Sequence, residues 1–124
     1  VTGSYVNGKA RMQFYLYCRQ QGLWPKEVSG FDPVTETKVF EPYCPVQNVT
    51  AEYSPTLLIH GTNDTDVPYE QSVMMDKELT KHGVEHEFIT VANAGHGIGD
   101  GDPKLVAAAY AAVVPFVERF VKNK

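Results

Sequence analysis

Two carboxylates and one histidine stand in polar segments that each follow an apolar run of the chain. Asp64 and Asp66 come shortly after the run at residues 56–59, and His96 stands between two glycines further along. A carboxylate can hold an imidazole ring in one tautomer, and that imidazole can then take a proton from a serine hydroxyl. These residue types therefore indicate the acid and the base of a nucleophile-activating triad.

A strand, a helix and a second strand are predicted to position these side chains. Residues 56–60 do not alternate between apolar and polar, which is typical of a parallel strand buried on both faces. Pro68 suits the first turn of a helix over residues 69–82, and Gly83 suits its left-handed C-cap. Residues 84–91 indicate the second strand. In open α/β sheets, ligands and catalytic groups gather at the carboxyl ends of the strands, where both polar segments fall.

The last predicted helix begins at Asp102 and Pro103, which suit the N-cap and the first helical position. Pro115 falls inside this helix and is expected to kink it. The inward stripe is predicted to comprise Val106, Ala109, Val113, Phe116 or Val117, and Phe120. Lys122 and Lys124 fall at the C-terminal end, where the helix dipole favours positive charge.

The first part of the chain carries weaker signals. Residues 9–21 have helix formers at helical spacing, and Gly22 suits the helix end. Residues 26–53 have scattered prolines and aromatics without a sustained period, which predicts an irregular wrap with room for a short helix. We therefore expect residues 1–53 to be an insertion or cap-like segment and residues 54–124 to be a βαβα unit. Because two strands alone make a poor sheet, the chain is expected to be a fragment of one larger domain.

The composition excludes several classes of protein. With 124 residues, the chain has the length of one domain. Its net charge of −4 gives no electrostatic reason to bind nucleic acid or anionic lipid, and no apolar run reaches membrane-spanning length. No signal-peptide pattern opens the sequence. Cys18 and Cys44 are expected to be free, largely buried thiols.

Three short motifs in the second half of the chain resemble the C-terminal part of an α/β-hydrolase. They are HGTNDTDVP at residues 60–68, QS at residues 71–72 and AGHG at residues 94–97. The pattern is similar to the branch of esterases and dienelactone hydrolases, which also resembles the prolyl oligopeptidases. The resemblance implies an α/β fold of parallel strands with flanking helices, with Asp64 as the triad acid and His96 as the base. It also implies that the upstream part is the insertion that such esterases carry before the acid-bearing strand.

Each of these side chains also has a structural interpretation. Asp64 could close an Asx turn after the strand, and His96 could be a solvated loop residue. Asp66 is the alternative triad acid, but it could instead cap the following helix. His60, at the end of a buried strand, is predicted to be packed and hydrogen-bonded rather than reactive.

The nucleophile of a triad is missing from these 124 residues. α/β-Hydrolases place it in G-x-S-x-G on a sharp strand-to-helix turn, in the chain order Ser, Asp, His. No such motif occurs, and Ser4, Ser54 and Ser72 stand in other contexts. We therefore expect this chain to supply the acid and the base of a carboxylesterase-like serine hydrolase, with the serine upstream. The expected substrate is a small-molecule ester.

Other chemistries have less support in the sequence. There is no metal-ligand spacing such as HExxH or CxxC, no Walker motif and no GxGxxG, so neither a metal nor a cofactor is expected. Trp24, Phe31 and Tyr43 are candidates to line a substrate pocket, or they pack under the irregular wrap. The alternative function is a non-catalytic relative that binds a partner, or a fragment that self-associates through exposed sheet edges.

Overall fold

The computed structural model describes residues 8–121, which divide into two compact units. Within the described residues, unit 1 ends at Cys44 and unit 2 begins at Pro45. No helix within the described part of the chain is both long and apolar enough to cross a membrane. Three residues that carried predictions lie outside the described residues, namely Ser4, Lys122 and Lys124.

Unit 1 is built from short helices. Helix α1 spans Gly8–Gln20, helix α2 spans Trp24–Ser29, and two 3₁₀ turns follow at Thr37–Val39 and Glu41–Tyr43. The helix predicted near residues 9–21 is confirmed. Several large apolar side chains of this unit are exposed, so its folding buries little apolar surface.

Glycines in the left-handed conformation follow both helices of unit 1. Gly22 has a φ of +67° and Gly30 a φ of +81°, which glycine adopts without steric cost. Pro25 lies in the first turn of α2, where proline is tolerated because an N–H at that position would have no helical partner. The rings of Tyr15 and Trp24 meet edge to face with centroids 5.1 Å apart, which joins α1 to α2.

Both cysteines belong to unit 1 and are thiols rather than halves of a disulfide. Cys18 is 1 % exposed, whereas Cys44 is half-buried. Burial raises the pKa of the Cys18 thiol, and the nearby charge of Glu27 raises it further. The prediction that both are thiols is confirmed, and the prediction that they are largely buried holds for Cys18 but not for Cys44.

Unit 2 is a βαβα unit preceded by one 3₁₀ turn. Its elements are the 3₁₀ turn Pro45–Asn48, strand β1 at Thr56–Gly61, helix α3 at Glu70–Lys81, strand β2 at His86–Val91 and helix α4 at Pro103–Val121. The two strands pair in parallel, from Thr56 opposite His86 to Gly61 opposite Val91. Both strands therefore end at the same edge, and the loops that follow them face each other. The predicted order of strand, helix, strand and helix is confirmed.

Helix α3 covers one face of this sheet. A cluster of buried side chains comprises Val49, Met75, Leu79 and Val84, with Val46, Tyr53 and Leu58 packed against it. Residues 45–53 therefore pack with the strands and α3 of unit 2. The division of a larger domain into an insertion, residues 1–53, and a C-terminal unit, residues 54–124, stays a prediction.

Helix α4 covers the opposite face. Its cluster comprises Val91, Ala94, Ile98 and Ala109, with Ile59, Ile89 and Val106 packed against it. Leu58 and Ile59 are consecutive in β1 and point to opposite faces, which places the two helices on opposite sides of the sheet. The α/β architecture is confirmed. Burial of β1 on both faces is incomplete, since residues 56–59 are only half-buried under two helices.

Asp102 caps helix α4. Its Oδ1 accepts the backbone N–H of Lys104 at 2.8 Å, as the sequence predicts. The helix continues through Pro115, and the predicted kink at that residue stays a prediction. Phe116 is buried and Val117 is half exposed, so Phe116 occupies the inward position.

Candidate active site

The loop after β1 folds around the carboxylate of Asp64. Its Oδ1 accepts the backbone N–H groups of Asp66 at 2.7 Å and Val67 at 2.9 Å. Two such hydrogen bonds close an Asx-type turn. The structural interpretation of Asp64 and the catalytic one are therefore compatible, because the turn uses Oδ1 and leaves Oδ2 to other side chains.

The loop after β2 carries His96 and is fixed by contacts of residues before and after that histidine. The N–H of Gly95 donates to Oδ1 of Asp100 at 2.9 Å. Ile98 has a φ of +50°, which is uncommon for a β-branched residue, and its side chain is anchored in the cluster beneath α4. The side chain of His96 is 60 % exposed, so an anchored loop presents its ring to the exterior.

Gly61 lets the two loops approach closely. A Cβ at this position would lie 2.6 Å from the carbonyl carbon of Ala94, which is too close for any side chain. The N–H of Asn63 donates to the carbonyl of Ala94 at 2.9 Å. The N–H of Asn93 donates to Oγ1 of Thr62 at 2.8 Å. These contacts fix the position of the histidine loop relative to the carboxylate loop.

The two predicted site residues meet across these loops. Nδ1 of His96 lies 3.0 Å from Oδ2 of Asp64, whose side chain is 3 % exposed. An ionised carboxylate can only accept a hydrogen bond, so Nδ1 carries the proton and Nε2 carries the lone pair of the neutral ring. That tautomer is the one a general base needs. The prediction that these side chains lie together is confirmed.

His60 reaches the same carboxylate from the end of β1. Its Nε2 lies 3.1 Å from Oδ2 of Asp64 and 3.1 Å from the carbonyl oxygen of Val67. Its Nδ1 lies 2.7 Å from Oγ of Ser72. The residue is 8 % exposed, which confirms the prediction of a packed and hydrogen-bonded histidine. The sequence did not predict that its partner is the candidate acid, although the spacing of four residues between them was a usable signal.

The surroundings of Asp64 keep its carboxyl ionised. Burial alone would raise its pKa. The N–H groups of Val67 and Asp66 and the ring of His96 outweigh burial, and they hold the pKa of Asp64 far below its usual range. Asp64 can therefore stabilise a positive charge on His96 without taking the proton itself. Asp66, the alternative acid, is exposed and supports Asp64 through its backbone.

A small cleft opens beside these side chains. It has a volume of about 200 Å³, below the roughly 300–1,000 Å³ of complete small-molecule sites. It is lined by Ile59, His60, Gly61, Asp64, Val67, His96 and Ile98. Trp24, Phe31 and Tyr43 belong to unit 1, and their role in a pocket stays a prediction.

No serine within residues 8–121 makes a hydrogen bond to His96. The hydroxyl of Ser72 contacts Nδ1 of His60, and that of Ser29 donates to the carbonyl of Pro25 at 2.6 Å. Across the same residues, no group of three His, Cys, Asp or Glu side chains is arranged to hold a metal ion. The described chain thus holds a carboxylate and a histidine in triad geometry without a nucleophile beside them.

Parts of this chain are similar to known proteins. The sequence profile of the prolyl oligopeptidase family matches residues 6–124. The non-reducing polyketide synthases prhL and ausA of Penicillium brasilianum are 44 % and 42 % identical over 64 residues, which is 50 % of this chain and 2 % of each synthase. A solved structure described as a truncated form of carbohydrate esterase from gut microbiota is 31 % identical, with a TM-score of 0.50. The match covers 60 % of this chain and 25 % of the esterase, so the chain spans only a small part of these relatives.

Proposed function

The chain belongs to the prolyl oligopeptidase family of the α/β-hydrolase superfamily, and from that premise we propose that the protein containing it is a carboxylesterase-like serine hydrolase. The observation that carries the proposal is the hydrogen bond between Nδ1 of His96 and Oδ2 of Asp64 at 3.0 Å. A buried, ionised carboxylate behind an exposed imidazole is the acid and base pair of a Ser-His-Asp triad.

An ester is supported as the substrate class by the solved neighbour. That protein is described as a carbohydrate esterase, and its likeness includes 31 % sequence identity over 60 % of this chain. Residues 60–68 and 94–97 also carry the esterase-like motifs that frame the candidate acid and base. The proposed substrate is therefore a small-molecule ester.

The proposed reaction begins when Nε2 of His96 takes the proton of a serine hydroxyl while the serine oxygen attacks the ester carbonyl. Asp64 remains ionised and stabilises the imidazolium through Nδ1. The imidazolium gives the proton to the leaving alkoxide as the tetrahedral intermediate collapses, so an alcohol departs and an acyl-serine forms. Water then attacks the acyl group with His96 as base, which releases the carboxylic acid and restores the serine.

The proposal places the serine and the oxyanion hole outside these 124 residues. No G-x-S-x-G motif occurs in the sequence, and in this superfamily the serine precedes the acid and the histidine in chain order. The exposed ring of His96 leaves room for a nucleophile to approach. The cleft is too small to enclose a substrate by itself, so the proposal also requires further residues outside this chain to complete the pocket.

A fluorophosphonate probe tests this proposal on the full-length protein. The probe reacts with serines activated by a neighbouring base, so peptide mapping should find one labelled serine N-terminal to Val1. The His96→Ala variant should lose the label. The His82→Ala variant is the matched control, since His82 lies at the far end of α3 beside Glu78, and it should keep the label. A folded full-length protein without a labelled serine would contradict the proposal.

A second candidate is a non-catalytic protein that associates through its sheet. Residues of β1 and β2 are half-buried in the described chain, and open strand edges can pair between molecules. This candidate predicts oligomers in light scattering of the full-length protein. It also predicts that Asp64→Asn and His96→Ala leave the function unchanged, which is the opposite of what the hydrolase predicts.

A further inference from the structure

We propose that His60 is a positioning residue of the triad, which holds the carboxylate of Asp64 in the orientation that His96 requires. The inference rests on the proposed serine-hydrolase function and deepens it. His60 contacts neither the nucleophilic serine nor the substrate carbonyl in this scheme. It acts through Oδ2 of Asp64, which it shares with His96.

The hydrogen bonds of His60 define its tautomer. Nε2 faces two acceptors, Oδ2 of Asp64 and the carbonyl oxygen of Val67, both at 3.1 Å, so this nitrogen carries a proton. In the neutral ring Nδ1 then accepts, and the hydroxyl of Ser72 at 2.7 Å is its donor. A chain of hydrogen bonds therefore runs from Ser72 through His60 to Asp64.

Packing fixes the ring of His60. The edge of the ring meets Tyr69, with centroids 5.6 Å apart and planes at 70°. Tyr69 stacks on Phe88 at 5.5 Å, and its hydroxyl lies 2.6 Å from Oγ1 of Thr90. Because Phe88 and Thr90 belong to β2, the orientation of His60 is tied to the strand that leads into the histidine loop.

The two imidazoles on Oδ2 differ in how firmly they are held. The side chain of His60 is 10 % exposed, whereas that of His96 is 60 % exposed. Oδ1 of Asp64 is fixed by two backbone N–H groups, so His60 is the buried donor that fixes the second oxygen. Without it, among residues 8–121, Oδ2 would have a hydrogen bond only from His96, which is the exposed ring that Asp64 is meant to position.

The N–H of His60 also affects the charge that His96 experiences. A donor on Oδ2 withdraws part of the negative charge that would otherwise stabilise an imidazolium at His96. Removing that donor should favour the protonated base. The acid limb of the pH–rate profile should then move to higher pH, because the reaction needs the neutral ring. A purely structural histidine would not produce this shift.

Three variants of the full-length protein test the inference through kcat, KM, the pH–rate profile and the melting temperature. His60→Leu removes the donor, His60→Gln keeps an amide N–H near the position of Nε2, and Ser72→Ala removes only the support at Nδ1. For His60→Leu we expect kcat to fall about tenfold to a hundredfold with KM unchanged, and the acid limb to move to higher pH. His60→Gln should restore most of the rate and the profile. Ser72→Ala should show a smaller change of kcat and of the acid limb in the same direction. This variant tests the inference even when His60→Leu does not fold.

Two results would overturn the inference. One is a wild-type kcat and pH profile in His60→Leu and Ser72→Ala. The other is a loss of rate that follows a lower melting temperature without a shift of the acid limb, which would make His60 a structural residue only. Asp64→Asn is measured beside them. If Asp64→Asn is inactive while the His60 variants are unaffected, this inference alone fails, whereas wild-type activity in Asp64→Asn removes the proposed function as well.

Discussion

Oδ2 of Asp64 lies 3.0 Å from Nδ1 of His96, although the two residues are 32 positions apart in the sequence. The parallel register of β1 and β2 ends both strands at one edge, and each residue stands in the loop that follows its strand. The carboxylate is 3 % exposed and the imidazole 60 % exposed. The pair is therefore fixed on the buried side, at the carboxylate, and open to the exterior on the side of the imidazole.

The close approach of the two loops depends on residue 61 having no side chain. In Gly61→Ala, the new Cβ would lie 2.6 Å from the carbonyl carbon of Ala94, so the backbone that leads to His96 must move. We expect kcat of the full-length protein to fall by about a hundredfold, since small misplacements of catalytic groups have effects of that order. Gly99→Ala is the control in the histidine loop, because its Cβ would meet nothing nearer than 3.8 Å. Equal rates in the two variants would contradict this account of the loop.

The N-cap of α4 is expected to contribute to stability without contributing to catalysis. Oδ1 of Asp102 accepts the N–H groups of Lys104 at 2.8 Å and Leu105 at 3.3 Å. Asp102→Ala should lower the free energy of unfolding by about 1 kcal/mol, within the usual range of about 0.5–2 kcal/mol for such caps. Asp102→Asn keeps the accepting oxygen and should lose only a few tenths of that amount. Denaturant unfolding measures both, and an equal loss in the two variants would show that capping is not the cause.

Acid should weaken the protein through Asp64. Burial by itself would raise the pKa of this carboxyl, but the N–H groups of Val67 and Asp66 and the His96 ring hold it below the usual value of about 4. A pKa that is lower in the folded state gives a stabilisation that is complete above about pH 4 and is lost as the pH falls further. The melting temperature of the wild type should therefore exceed that of Asp64→Asn at about pH 6, and the gap should close towards about pH 2. A constant gap would contradict the assignment.

The elements around the site could be predicted from the sequence because local signals and packing agree there. The run at residues 56–60, which does not alternate between apolar and polar, is a strand in the structure. Gly83 marks the end of a helix and Asp102 the start of one. Gly83 has a φ of +69°, as a C-cap glycine should. The resemblance then selected Asp64 over Asp66 as the acid.

Other features were not accessible from local pattern. Residues 26–53 fold into part of α2 and three 3₁₀ turns. These elements are too short to show a sustained apolar period in the sequence. The contact between His60 and Asp64 depends on the loop doubling back over the end of β1, which no periodicity reports. The incomplete burial of β1 reflects how many elements cover the sheet, and that number is not a property of the strand's own residues.

The rate of ester hydrolysis by full-length Asp64→Asn, compared with Asp66→Asn, tests the central claim most directly. An asparagine at residue 64 keeps the shape of the side chain but can present N–H where the ring of His96 needs an acceptor. We predict that kcat of Asp64→Asn falls by about 10⁴ with the fold intact, whereas Asp66→Asn, which keeps its backbone N–H to residue 64, stays near the wild-type rate. A folded Asp64→Asn with wild-type kcat, or a comparable loss in Asp66→Asn alone, would contradict the assignment of Asp64 as the triad acid.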